Sequence, residues 1–166
     1  VLVASALVLS AATYAGFQAY QDSVVAEHRA DVERSGDLVR ADLDARLAAH
    51  EQTVELWAGL PDVGAHGTAA QHATLRRLVD NSVFAGVSVV DANGTMTGLV
   101  SDLPPEDRDA LLGADFGDRT YVRRALDGET YVSDPVAAET GNDVVTVSTP
   151  VHRDGEVVGT LNAAFH

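Results

Sequence analysis

The chain contains no cysteine and no lysine. The first absence excludes disulfides, thiolate nucleophiles and cysteine-based zinc sites. The second leaves eleven arginines as the whole complement of basic side chains against 25 carboxylates, a formal net charge of -14. Neutralising a phosphate backbone needs clustered cations, so no nucleic-acid partner is expected. The usual catalytic signatures are missing as well. No glycine-rich phosphate loop follows a strand, and no serine sits in a Gly-x-Ser-x-Gly turn. Carboxylates are abundant but scattered, so no pair stands out as an acid–base dyad. Asp115-Phe116-Gly117 spells the metal-binding triplet of protein kinases, but a kinase also needs a glycine-rich loop, a strand lysine and a catalytic loop. His66 and His72 lack the spacing of a helical metal pair and read as solvated side chains. The expectation is a non-enzyme with no catalytic residue, no metal and no cofactor.

What is present begins with an apolar run. Val1 to Tyr20 carry no charge, and the first charged residue is Asp22. Such a run just spans a bilayer as a helix, and Tyr14, Phe17 and Tyr20 stand where an aromatic belt meets headgroups. A membrane anchor over residues 1–21 is expected; a signal peptide, favoured by Ala11, Ala12 and Ala15, is the alternative. From 22 to 60 the pattern is helical. Val25, Val32, Val39, Leu43, Leu47, Val54 and Trp57 recur at helical spacing with charges on the other faces. This stalk stripe has two readings, packing on its own domain and pairing with a second copy. His28, Ser35 and Asp42 make the seam impure for a coiled coil, so the C-terminal half is expected to pack on the domain.

Leu60-Pro61 ends the helix, and Thr68 reads as the N-cap of a short helix to about Asn81 with Ala70, Ala73, Leu75, Leu78 and Val79 apolar. The period then changes. Strands are expected over 84–90 and 96–100 around Asn93-Gly94, over 130–133, and over 144–151 and 156–164 around Asp154-Gly155. Short helices fall at 106–112 and 119–127. Asn93-Gly94-Thr95 is also a glycosylation sequon, although the turn alone explains Asn-Gly. The class is α+β: a long N-terminal helix and a single domain over 61–166 built on a five-stranded antiparallel sheet. With 166 residues there is room for one core and one extra element.

The segment 118–151 carries the most information. It reads Asp118-Arg119-Thr120-Tyr121, then Arg123-Arg124-Ala125-Leu126, then Tyr131-Val132-Ser133-Asp134-Pro135. It closes with Thr140-Gly141-Asn142-Asp143-Val144-Val145-Thr146 and Pro150-Val151. Together with VSVVDANG at 87–94 and GEVVG at 155–159, this order resembles the Cache family. These are PAS-like extracytoplasmic sensor domains of histidine kinases and chemotaxis transducers. The resemblance implies a PAS-like sheet backed by a stalk helix, signal transduction across a membrane, and a small-molecule ligand. In amino-acid-binding members an Arg-x-Trp-Tyr element holds the ligand carboxylate. Here Arg119 matches the arginine, Tyr121 stands at the tryptophan, and Val122 replaces the tyrosine. The family's ammonium-binding aspartate follows a Pro-Tyr pair, whereas Pro135 is followed by Val136, Ala137 and Ala138. The amine clamp is therefore missing, which argues against α-amino acids and leaves a small carboxylate or another small metabolite.

Physical chemistry points to the same side chains. Arg119 offers a planar fork to a carboxylate. Tyr121 and Tyr131 supply apolar walls with hydroxyl tips. Thr146 and Ser148 project from one strand face, and Ser133 and Asp134 lie in the adjoining turn. Each has a structural alternative: an Arg119 ion pair with Asp118, Asp115 or Asp134, a simple turn at Asp134-Pro135, and a core role for Tyr121. The expected partners are a small ligand, the membrane through residues 1–20 and a second copy through the stalk, with everything from about residue 22 outside the cytoplasm. A ligand-free dimerisation or protein-interaction module is the alternative function. The acidic, lysine-free composition reads as adaptation to a salt-rich habitat, where self-repulsion is screened; a GC-rich genome favouring arginine is the alternative. The domain is accordingly expected to melt at a higher temperature in molar NaCl than in dilute buffer, and equal melting temperatures would count against the salt reading.

Overall fold

The computed structural model describes residues 36–137 and 143–165. The expected anchor at 1–21, Val25 and Val32 of the stalk stripe, and Thr140-Gly141 of the family motif lie outside the described residues. Among the described residues no helix is long and apolar enough to cross a membrane. The chain divides into two compact units, 1–46 and 47–166.

Helix α1 spans 36–58. Its first part, in the smaller unit, leaves Leu38, Val39 and Leu43 exposed. In the larger unit its last turns bury Val54 and Ala58, with Trp57 packed against the same core. Gly59 and Leu60-Pro61 then turn the chain out of the helix, since proline has no N–H to continue it.

Helix α2 (Ala69–Asp80) starts where the sequence predicts it: the Thr68 hydroxyl accepts from the N–H of Gln71. Its buried face is rotated from expectation. Ala70 and Ala73 are exposed, and Gln71, Thr74 and Leu75 are buried instead. The reason is hydrogen bonding rather than hydrophobicity. Gln71, only 1% exposed, donates from Nε2 to the Val63 carbonyl at 2.7 Å and accepts from the Gly67 N–H at 3.0 Å. It thereby ties the 59–67 loop to the helix.

The sheet is antiparallel, in the order β2-β1-β6-β5-β3. Its strands are β1 (Gly86–Asp91), β2 (Met96–Ser101), β3 (Tyr131–Val132), β5 (Asp143–Arg153) and β6 (Glu156–Phe165), and the short β4 (Val136–Ala137) pairs farther along β5. The expected strand at 130–133 is thus divided. Ser133 donates its N–H to the Thr146 carbonyl at 2.9 Å, and its Oγ accepts the Thr146 N–H at 3.0 Å in place of a backbone carbonyl. Pro135 has no N–H to give a ladder. Between strands lie α3 (Pro105–Leu111) and α4 (Thr120–Leu126).

Both hairpin signals act as tight turns. Asp154 and Gly155 both take positive φ (50° and 86°), as a two-residue type I′ turn requires. At the other hairpin Asp91 Oδ1 accepts from the N–H groups of Asn93 and Thr95, and Gly94 takes φ 88°. A Cβ at Gly94 would sit 2.7 Å from the Cα of Gly117, so no side chain fits there. Asp115-Phe116-Gly117 is the strap that closes on this hairpin: Phe116 donates its N–H to the Gly94 carbonyl at 2.7 Å.

Side-chain alternation gives the sheet two unlike faces. Val87, Val89, Val100, Val147, Val151, Leu161 and Ala163 form the core with α1 and α2. The other face carries Ser88, Thr146, Ser148, Thr160 and Asn162, beneath α3 and α4. Gln71→Ala leaves a buried carbonyl and a small void, so unfolding stability should fall by about 3 kcal/mol. A urea midpoint shift at constant slope measures this; a loss below about 1 kcal/mol would mean that water replaces the amide.

Candidate ligand-binding site

The polar face encloses a cavity of about 550 Å³. Two cross-strand rows make its floor. One runs Thr146–Ala164–Gly86–Ser101, and the next runs Asn162–Ser88–Leu99. Most of these side chains are small, which is why space remains once helices cover the sheet. Met96, Leu111, Phe116 and Tyr121 add apolar walls, and Val136 and Val144 line the β4–β5 side. Arg119, the residue that caps the start of α4, also lines the cavity. Its Cζ stands 5.8 Å from the centroid of the Phe116 ring, so the aromatic face helps to hold the guanidinium. Asp102 and Asp107 line it from the β2–α3 segment.

Asn162 is 3% exposed. Its amide donates to Ser88 Oγ at 3.4 Å and to the Ser88 carbonyl at 3.5 Å, and its Oδ1 accepts from Thr160 at 3.3 Å. These are long bonds for an amide, so a buried polar group retains capacity for a better partner. Ser148, next in the same row, has a fully buried Oγ with no hydrogen-bond partner among the described residues.

The residues singled out from sequence divide into two groups. Arg119, Tyr121 and Thr146 line the cavity. Tyr131, Ser133, Asp134 and Ser148 are not among its lining. Tyr131 extends the row beyond Ser148 and lies under the guanidinium of Arg124, 5.5 Å from the ring centroid. Arg124 is itself held by Glu129 at 2.9 Å; that hydrogen bond, and then the charge of Glu129, raise its pKa above the usual arginine value. Ser133 is occupied with the Thr146 backbone, and Asp134 is exposed. Sequence reasoning missed Ser88, Ser101, Asp102, Asp107 and Asn162. The signal available for two of them, Ser88 and Asn162, was small or polar residues at alternate positions in otherwise aliphatic strands: Gly86-x-Ser88 and Asn162-x-Ala164, echoing Thr146-x-Ser148.

His66 is not a solvated loop residue. It is half-buried, with Nδ1 2.9 Å from Thr97 Oγ1 and Nε2 3.1 Å from the Val158 carbonyl. Among the described residues no cluster of three or more metal-ligating side chains occurs.

The fold recurs in solved structures. The sensor domain of the V. cholerae histidine kinase DctB superposes with a TM-score of 0.69 at 14% identity, over 87% of this chain and 56% of that one. The ligand-binding domain of the Pseudomonas fluorescens chemoreceptor CtaA, in complex with L-alanine, gives 0.62 at 18% over 81% and 57%. An extracellular ligand binding receptor from Desulfohalobium retbaense gives 0.62 at 18% over 75% and 23%. The fold is that of the Cache-type sensor domains. At these identities the likeness is one of fold. The chain spans little more than half, or less, of the length of these Cache-type chains. No protein-family model and no curated protein matches the sequence. Within the Cache fold the cavity lies between the sheet and the segment from Pro104 to Tyr121, on the side away from α1.

Proposed function

We propose that residues 61–166 form the extracytoplasmic, ligand-sensing domain of a transmembrane signal-transduction receptor, joined through a stalk helix at 22–60 to a membrane anchor at 1–21. The observation that carries the reading is the polar, nearly buried sheet face under a 550 Å³ cavity, opposite an entirely ordinary aliphatic core. A face without a ligand role would be expected to fill with aliphatic side chains, because buried polar groups with poor partners cost about 1–3 kcal/mol each. The volume lies in the usual range of about 300–1,000 Å³ for small-molecule sites.

The chemistry of the lining favours a small metabolite with one carboxylate. Arg119 is the only cationic side chain in the lining among the described residues, and it provides the fork for that carboxylate. Asp102 and Asp107 disfavour a second carboxylate and favour a hydrogen-bond donor elsewhere on the ligand. Ser88, Thr146 and Asn162 supply neutral polar contacts, and Tyr121 and Phe116 the apolar walls. Tyr131, Ser133 and Ser148 flank this floor through the pairing of β3 and β5, with Asp134 exposed beside them. The sensor and ligand-binding titles of the structural neighbours fit the same reading.

Signal would leave through the sheet. The ligand side and α1 are separated by a single layer of strands. A polar link joins them as well: Thr130, after α4, donates to Glu55 Oε1 of α1 at 2.6 Å and is 2.9 Å from Thr149 Oγ1. A ligand that favours one position of α4 would shift the population of α1 positions. The exposure of Leu38, Val39 and Leu43 on α1, at 69%, 69% and 54%, favours pairing of the stalk with a second copy. It also supports the rival reading, a dimerisation module without a ligand.

Two measurements separate these readings. In a thermal-shift screen of small monocarboxylates at high salt, the protein should gain about 3 °C or more at tenfold the dissociation constant. Arg119→Ala should lose that gain while keeping its melting temperature in buffer; a lower melting temperature in buffer alone would instead make Arg119 a structural ion-pair partner. For pairing, light scattering of the full chain in detergent should give a dimer, converted to monomer by Leu43→Glu. A monomer in both cases would remove the stalk dimer.

A further inference from the structure

We propose a second binding site, for a small divalent oxyanion of the sulfate or phosphate class, in a cleft on the outer side of β2 between α2 and α3. The cleft measures about 240 Å³ and meets the larger cavity at one shared lining residue, Leu99. That volume is below the usual range for organic ligands, about 300 Å³ upward, and suits a tetrahedral anion with a few waters.

Its charge runs against that of the whole chain. Acidic residues outnumber basic ones 25 to 11 overall, yet the cleft is lined by Arg76, Arg108 and His72 against one carboxylate, Asp109. Arg76 and His72 stand one turn apart on α2, with Nη2 3.4 Å from Nε2. Among the described residues neither Arg76 nor Arg108 forms an ion pair, although Arg46 and Arg124 do, with Asp42 and Glu129. Two arginines that line one cleft from different helices, without carboxylate partners among the described residues, offer planar donor forks suited to an oxyanion.

The position gives the anion something to do. Helix α3 has no buried residue, so little packing holds it, and it walls both spaces: Asp107 and Leu111 face the larger cavity, Arg108 and Asp109 the cleft. An anion bridging Arg76 and Arg108 ties α3 to α2 and so steadies a wall of the larger cavity. This coupling rests on the ligand reading of that cavity; the anion site itself does not.

The test titrates sodium sulfate and sodium phosphate separately into the full chain, against NaCl at matched ionic strength. Melting temperature and hydrogen exchange of the 106–112 amides are followed. Expected is a rise of about 3 °C or more beyond the NaCl control at tenfold the dissociation constant, with slowed exchange in α3. Arg108→Gln and Arg76→Gln should each remove most of the rise while melting within about 1 °C of the parent in NaCl, since both side chains contact solvent. Arg119→Ala should retain it, so failure of the carboxylate reading leaves this result intact. The proposal is overturned if NaCl gives the same rise, if either glutamine variant keeps it in full, or if Arg119→Ala abolishes it.

Discussion

Strand β6 lies between β1 and β5, and its register fixes what both sheet faces contain. Leu161 and Ala163 point into the core with α1 and α2; Thr160 and Asn162 point the other way, toward α3 and α4. Because the side-chain period is two, a slip of one residue would exchange them. Asn162 would then enter the cluster around Val87, Val147 and Leu75, and Leu161 would close the cavity floor. The turns oppose such a slip from both ends. Asp154-Gly155 admits only the two-residue connection whose φ angles it satisfies, and the β1–β2 turn is clamped by Asp91 and by the Gly94–Gly117 approach. Turn chemistry thus sets the position of a buried asparagine in the central strand, with two strands on either side of it.

The same division explains what could be read from sequence. Elements marked by local chemistry were legible: the Thr68 cap, the proline that ends α1, the two hairpins and the α+β class. The shared strand face read for Thr146 and Ser148 is the face turned away from the core that holds Val147 and Val151. Two readings of faces went astray where polar residues took apolar places. On α2, Gln71 displaced Ala70 and Ala73 from the interior because its amide satisfies two loop groups at once. His66 looked solvated in a glycine-rich loop, whereas both ring nitrogens are engaged with β2 and β6. Such bonds join residues 31 and 92 positions apart in the chain, and no local pattern carries them.

The candidate site shows the limit more clearly. Arg119, Tyr121 and Thr146 could be named because they fall in one segment whose order resembles a known family. Their neighbours in space could not. Ser88 and Asn162 meet only through strand pairing, and Asp102 and Asp107 reach the cavity only because α3 folds back over the sheet edge. Conversely, Tyr131, Ser133 and Asp134 are close to Thr146 through the β3–β5 pairing but turn to other partners: the Arg124 guanidinium, the Thr146 backbone and solvent. Chain proximity placed them near the site, while side-chain direction kept them out of its lining.

The net charge of the chain sharpens the meaning of its few local exceptions. On a surface with many carboxylates, an arginine side chain finds an acidic partner easily, so most arginines carry little information. Two arginines that line one cleft without an ion pair among the described residues, Arg76 and Arg108, depart from that default. Arg119 lies near Phe116 at the larger cavity, while Arg76 lines the smaller cleft from α2 and Arg108 lines it from α3. Both arrangements border α3, the helix with the least burial of its own. A loosely packed helix between two spaces of unlike chemistry has a position that bound solutes can determine, since each ligand adds contacts the fold does not supply. The aliphatic face beneath, by contrast, is packed without reference to any ligand. It can therefore hold the last turns of α1 in register while the polar face changes.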